Sequence, residues 1–333
     1  GNPHYINDVM QCYMRYISEN NIIRCTPTGR FPFLKPIVAP TGTDDPFIYT
    51  VEAYIGASDH AVFNDWGVGV PGICLNNWPD HFYHTSNDRP WICDPTQMKR
   101  VAFLGVAAAY SIAAADGVIA SKIAAEVAGN AQHRIGHQLS ISSRNILDAQ
   151  KSNFALVYQK ALYDLEAVVK NEKETLKSVS ELISTSSFNS MLDLQIAQLD
   201  GIYKNNLEIL ESQMKFRSST EGLEEIKIKA SILEKEAAKI FPMPTELVKA
   251  SGYSGYNDIL RVRVDQLKEK FPHESVGRYA RELQLLCNGQ HSALDIKKMI
   301  DVQQPNNVSL QDVMNYIKIL DAAGLIKIAS KPM

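Results

Sequence analysis

The sequence lacks several features that would assign it to a broad functional class at once. It has no Cys-x-x-Cys pair, no Gly-x-Ser-x-Gly motif, and no glycine-rich loop followed by Lys and Ser or Thr. These absences argue against a serine-hydrolase nucleophile elbow and a phosphate-binding P-loop. No apolar run is long enough to cross a bilayer, so we expect no membrane span. The formal net charge of −3 gives no general attraction to nucleic acid.

Cysteine is also scarce, with five residues that are widely spaced and odd in number. A disulfide framework needs paired cysteines, so we expect mainly buried free thiols. One local bridge, between Cys74 and Cys93, stays open as an alternative.

The distribution of proline divides the chain into three regions of different composition. Residues 1–116 are rich in Pro, Gly and aromatic residues, residues 117–245 are nearly free of Pro, and residues 246–333 contain short apolar periodic segments. We therefore predict three domains with these boundaries.

The first region has the pattern of an α/β domain. A helix is expected to begin near Pro3, strands over Phe47 to Ile55 and Gly72 to Leu75, and a second helix at Asp94-Pro95-Thr96. In α/β sheets, functional sites collect in loops beyond the carboxyl ends of strands. This pattern predicts a site in the loops around the second strand.

The second region is predicted to be an all-α bundle of long antiparallel helices. Apolar residues step by three or four over 154–183, 192–214 and 223–240. Turns are expected at 184–187 and 218–220, and Pro242 and Pro244 should end the bundle. Such a bundle, or an exposed sheet edge, is a surface through which the chain could form homo-oligomers.

The third region resembles a small winged-helix domain, with three helices and a terminal strand from Leu325 to Ile328. Its third helix carries Lys318 as its one basic residue, together with Asp312 and Asp321. A helix that reads a DNA groove normally presents several basic or amide side chains. We therefore expect protein interaction here rather than nucleic-acid binding.

Two His-bearing loops are the strongest candidates for chemistry. His84 follows the predicted Gly72–Leu75 strand, and Asp88 could orient its imidazole for zinc. The phenol of Tyr83 could donate to an oxyanion. The alternative is a purely structural loop histidine.

The second candidate is the pair Asp59 and His60, which could position a substrate amine or transfer a proton. The alternative is a helix cap, since Ser58 or Asp59 could cap a turn beginning at Ala61. His133 and His137 lie on one helical face, but no third ligand is nearby, which favours a solvated face.

Residues from about 46 to 113 are similar to the C-terminal part of the co-catalytic di-zinc aminopeptidases, peptidase family M28, which also includes glutaminyl cyclases. The similarity is carried by four blocks in order: Gly56 to Phe63, Gly67 to Pro71, Trp78 to Asp88, and Asp94-Pro95 opening a helix that contains Lys99-Arg100. The resemblance implies a zinc-exopeptidase-like sheet domain for residues 1–116.

The resemblance also implies roles for individual residues. His84 corresponds to a zinc ligand, Tyr83 to a stabiliser of the tetrahedral intermediate, and Asp59 to a residue near the substrate, with His60 beside it in substrate binding. The reaction implied is hydrolysis of peptide bonds by water bridging two zinc ions, and the substrate is a peptide. Relatives are often exported, which implies a periplasmic or extracellular parent protein.

The upstream His-Asp segment, Glu-Glu pair and further Asp of the family have no counterpart in this sequence. One histidine does not hold zinc well, because zinc sites take three or four protein ligands. We therefore predict a fragment of a zinc-dependent exopeptidase that is inactive by itself and does not bind the two zinc ions of its parent. The sequence begins with Gly1, which fits a fragment. The alternative is a non-catalytic scaffold that binds partners through its helical and winged-helix-like modules.

Overall fold

The structure is a computed structural model that describes residues 3–24, 36–222, 226, 228–304 and 306–332. Its first part contains three α-helices: α1 (Ile6–Arg24), α2 (His60–Asn64) and α3 (Pro95–Ala113). The predicted helices at the start of the chain and after Asp94 are confirmed. Asp94 begins α3 because its carboxylate accepts hydrogen bonds from the amides of Thr96 and Gln97.

The predicted α/β architecture of residues 1–116 is wrong for the described part of that region, which contains no β-strand. The segments 47–55 and 72–75 are extended, but neither is hydrogen-bonded into a sheet. An extended segment becomes a strand only when a neighbour satisfies its backbone groups. No neighbouring strand is present among the described residues, and Ile48, Val51 and Ile55 are exposed.

A bundle of long helices follows, as predicted. It contains α4 (Gly117–Asp148), α5 (Phe154–Ser178) and α6 (Ser186–Glu221), which pack against one another in every pairing. Its core includes fully buried aliphatic side chains from each helix: Ile135, Ile146, Leu165, Leu176, Leu199 and Leu210. Helix α1 packs on α3 and α4 and so adds to this core.

Two details of the bundle differ from the prediction. The expected turn at 218–220 lies inside α6, which ends at Gly222 in the left-handed conformation. The expected long helix over 223–240 is only α7 (Ile232–Ala237) within the described residues. The predicted turn at 184–187 is confirmed, because the Thr185 hydroxyl caps α6 by accepting from the amide of Phe188.

The last part of the chain, residues 232–329, is called the C-terminal region below. After α7, its remaining elements are β1 (Phe241–Pro244), α8 (Glu246–Ser251), α9 (Asn257–Leu267), α10 (Ala280–Leu286), α11 (Ala293–Gln303), α12 (Leu310–Ala322) and β2 (Ile326–Ala329). Strand β1 pairs antiparallel with β2, Phe241 opposite Ala329. The terminal strand and three preceding helices are confirmed, whereas the winged-helix assignment stays a prediction.

Pro242 and Pro244 belong to β1 rather than only ending the bundle. Proline lacks a backbone donor and is tolerated in an edge strand, which β1 is in this two-stranded sheet. Short 3₁₀ turns complete the architecture, at Pro90–Ile92, Val179–Glu181, Ser254–Tyr256 and Gly277–Tyr279.

The C-terminal region packs on the bundle through α11 and α5. Two ion pairs join them, Lys298 to Glu166 at 2.6 Å and Lys170 to Asp295 at 3.1 Å. Just before α11, the His291 imidazole is hydrogen-bonded to Glu174 at 2.9 Å. In the described ranges, no helix is both long and apolar enough to cross a bilayer.

Candidate functional site

Asp59 and His60 lie at the start of the short helix α2. The backbone of Ser58 accepts from the amide of Ala61 at 2.9 Å, which forms the first turn. The Asp59 carboxylate is exposed and makes no capping hydrogen bond, so the capping interpretation of Asp59 is not supported. The carboxylate is therefore available to solvent or to a ligand.

His60 is half-buried and its imidazole packs edge-on against the ring of Tyr54, with 5.6 Å between centroids. The pKa of His60 is lowered, first by burial and then by the Arg281 guanidinium, whereas Asp59 acts in the opposite direction. The imidazole is therefore neutral near pH 7. Its Nδ1 atom is buried and has no hydrogen-bond partner.

Tyr83 and His84 lie in an exposed loop whose turns are held by its own backbone. The Thr85 amide and hydroxyl both donate to the Phe82 carbonyl, at 3.0 and 2.7 Å. The rings of Tyr83 and His84 stack with 3.8 Å between centroids. Both side chains are thus presented to solvent on a locally ordered turn.

The backbone of His84 is in an unusual conformation. Its φ of 59° makes it the one non-glycine residue with positive φ in the part of the chain that the structure describes. Such a conformation is sparsely populated by L-residues and is often found at functional sites. Asp88, which could have oriented the imidazole, forms no hydrogen bond with it.

The structure does not bring the two candidate pairs into direct contact. Within the described ranges, no hydrogen bond, ion pair or ring contact joins Asp59 or His60 to Tyr83 or His84. Asn64 joins His60 to the extended run that begins at Gly72. Its amide donates to the carbonyls of His60 and Gly72 and accepts from the Gly72 amide, each at 2.9 Å.

A zinc ion does not fit the described residues as they stand. Among them, no three His, Cys, Asp or Glu side chains converge into a group that could hold a metal. A zinc site needs three or four such ligands, and His84 by itself offers one. His133 and His137 are exposed on α4, as the solvated-face interpretation expected.

The described cysteines are all free thiols, at positions 12, 74, 93 and 287. The alternative bridge between Cys74 and Cys93 is therefore not formed. Cys74 and Cys93 are exposed, which differs from the expectation of buried thiols, and Cys287 is buried. Burial raises the pKa of the Cys287 thiol. Cys25 lies outside the described residues.

Sequence reasoning missed Asp65, a buried side chain that joins this segment to a distant part of the chain. Its carboxylate is buried and accepts hydrogen bonds from Tyr253 and Ser254 in the C-terminal region. A contact between residues this far apart leaves no local pattern. The one available signal was that Asp65 directly follows Asn64 at the end of a short predicted turn.

Comparison with known proteins agrees with the resemblance stated above. The family model described as "Peptidase family M28" matches residues 31–109. This segment, which contains Asp59, His60, Tyr83 and His84, is therefore related to that peptidase family. No curated protein and no solved structure matches the chain.

Proposed function

We propose that this chain is the His84-bearing portion of a zinc-dependent exopeptidase, and that by itself it does not hydrolyse peptide bonds. The proposal rests on the match of residues 31–109 to peptidase family M28, together with the finding that the described residues supply no group of three metal ligands. The remaining ligands of a zinc site would have to come from outside the described residues. In this proposal Tyr83, Asp59 and His60 act on a peptide substrate.

The geometry supports these roles in three ways. His84 and Tyr83 are solvent-accessible and share one ordered turn, so both can face a substrate from the same side. The exposed Asp59 carboxylate is suited to binding a peptide's amino group. The His60 imidazole, neutral near pH 7, can accept a proton or a hydrogen bond at that pH.

The test compares this chain with the complete product of its gene, using aminoacyl-anilide hydrolysis with added zinc and with a chelator. We expect no chelator-sensitive hydrolysis from this chain and chelator-sensitive hydrolysis from the complete product. His84→Ala in the complete product should abolish hydrolysis, whereas His133→Ala, an exposed histidine on α4, should not. Chelator-sensitive hydrolysis by this chain alone, or full activity of His84→Ala, contradicts the proposal.

A second candidate is a non-catalytic scaffold descended from a peptidase. It is favoured by the extensive attachment of the C-terminal region to α5 and to the family-related segment. It predicts that the complete product also lacks hydrolysis and binds no zinc, which separates it from the first proposal. Neither candidate involves nucleic acid, and self-association through the bundle stays a prediction.

A further inference from the structure

The Asp65 carboxylate joins two parts of the chain that are distant in sequence. Its two oxygens accept hydrogen bonds from the backbone amides of Tyr253 and Ser254 and from the Ser254 hydroxyl, all at 2.8 Å. Only 7% of Asp65 is exposed. A buried carboxylate with this many donors forms strong, charge-assisted hydrogen bonds.

Two glycines let the backbone of this segment and that of the C-terminal region approach closely around Asp65. A methyl group on Gly67 would lie 2.7 Å from the Gly252 nitrogen, and one on Gly252 would lie 2.6 Å from the Asp65 carboxylate carbon. Gly252 also has a φ of +68°, which disfavours any side chain. Backbone atoms of both parts therefore pack together around the Asp65 side chain. This set of contacts, made by Asp65, Gly67, Gly252, Tyr253 and Ser254, is called the Asp65 junction below.

A second attachment lies beside the first. The Gln304 amide donates to the Tyr54 carbonyl at 3.4 Å, and Arg281 packs so closely that a methyl group on Gly56 would lie 3.0 Å from its Cδ. The C-terminal region thus contacts the family-related segment on both sides of Asp59 and His60.

The stretch between Glu52 and Pro95 has few other contacts that would fix its conformation. Between Glu52 and Pro95, Ala61 and Asp65 are the only non-glycine residues that are buried. Its extended runs have no strand partner, as described above. Because so little of the stretch between Glu52 and Pro95 is buried, the Asp65 junction is one of the few contacts that can hold it in one conformation.

We propose that Asp65 is a positioning residue, through which the C-terminal region fixes the conformation of α2 and hence of Asp59 and His60. The neighbouring Asn64 extends this effect to Gly72 and so to the run that leads toward His84. The contacts described above support this positioning role without reference to activity. Its effect on a bound substrate rests on the proposed function.

The test measures amide hydrogen exchange over residues 54–75 in Asp65→Asn and Gly252→Ala. Loss of charge-assisted hydrogen bonds should speed exchange at least about tenfold in this window, with α4 to α6 unchanged. The matched controls are Glu52→Gln, an exposed carboxylate in the same segment, and Gly105→Ala, where a methyl group meets nothing within 4 Å. Both controls should exchange at the same rate as the unsubstituted chain.

Titration of His60 by NMR provides a second readout of this contact, and unchanged exchange in α4 to α6 separates a local loss of the contact from general destabilisation. In the unsubstituted chain, burial and Arg281 hold the pKa of His60 below its ordinary value. Tyr54 and Asp59 are the other titratable groups near the ring. Loss of the Asp65 junction should raise the pKa of His60 toward its ordinary value in both Asp65→Asn and Gly252→Ala. Neither measurement requires peptidase activity, so failure of the proposed function would not affect them. Unchanged exchange and titration in Asp65→Asn would overturn the positioning role.

Discussion

At the scale of single residues, Arg134 holds two buried carboxylates at once. Its guanidinium donates to Asp8 on α1 at 2.7 Å and to Glu172 on α5 at 2.6 Å. Asp8 is 1% exposed and Glu172 is 5% exposed, so both carboxylates depend on protein donors rather than on bulk water. The cluster therefore fastens α1 to the bundle.

Replacing Arg134 should be strongly destabilising. Arg134→Gln leaves two buried carboxylates short of a cation, and we expect a loss of about 2–4 kcal/mol in the free energy of unfolding. Arg15→Gln is the matched control, because Arg15 on α1 also pairs with a carboxylate on α4, Glu126, but that pair is exposed. It should change stability by less than about 1 kcal/mol. Equal losses in chemical denaturation would contradict this account.

Glu172 should also make stability depend on pH. Burial raises the pKa of Glu172 above its ordinary value, the hydrogen bonds from Arg134 oppose the rise, and Asp8 adds to it. The folded chain therefore keeps this proton at pH values where the unfolded chain has released it. Between the two pKa values the free energy of unfolding falls as pH rises.

This sign can be checked with Glu172→Gln, which is neutral at every pH. The stability of the parent chain relative to the variant should decline as pH rises from the ordinary glutamate pKa to the raised folded-state pKa, and then level off. Denaturant unfolding at a series of pH values measures the difference. A relative stability that increases with pH over this window would show that Arg134 outweighs burial.

At the scale of elements, helix ends are set by local side chains that can be read from the sequence. Helix α11 begins with a capping box, in which the Ser292 hydroxyl accepts from the Asp295 amide at 3.1 Å and the Asp295 carboxylate accepts from the Ser292 amide at 3.0 Å. The corresponding cap of α12, from Ser309 to the Asp312 amide, is longer at 3.4 Å.

This difference predicts a graded effect. Ser292→Ala should lower the free energy of unfolding by about 1–2 kcal/mol, because it leaves a nearly buried helix start without its acceptor. Ser309→Ala should cost less, since its hydrogen bond is weaker. Thermal unfolding of the two variants tests the order, and a larger loss in Ser309→Ala would be the contrary result.

The helices were predictable because their signals are local. Asp94 and Thr185 stand where caps were expected, and apolar periodicity indicated α5 and α6. The strands expected at 47–55 and 72–75 failed because a strand depends on a partner that local sequence does not contain. Strand β1 was missed for a related reason, since two prolines conceal a segment that pairs only with the chain's last strand.

The candidate site was likewise only partly predictable from the sequence. The motif blocks around His60 and His84 were visible in the sequence, and the family match at residues 31–109 confirms their relationship. The burial of Asp65 against Ser254 was not visible, because it depends on how the C-terminal region docks. The exposure of His84 and its positive φ likewise follow from the folded loop rather than from local composition.

At the scale of the whole molecule, the family-related segment is the least self-sufficient part of the described chain. The bundle and the C-terminal region each have an extensive hydrophobic core. The cluster that the family-related segment forms with α1 has, among the described residues, only three buried members, Ile17, Phe47 and Leu104. Large side chains such as Trp78, Trp91 and Val106 remain exposed. The segment thus depends on its neighbours for order, and its site residues depend on them as well.

The most direct measurement of the central claim is the zinc stoichiometry of this chain and of the complete product of its gene, determined by metal analysis after dialysis. If the chain contributes His84 to a site completed by other residues, it should retain no stoichiometric zinc alone. The complete product should retain zinc and lose it, in part or whole, in His84→Ala. Stoichiometric zinc on this chain alone, or a zinc content of the complete product that is unaffected by His84→Ala, would contradict the account.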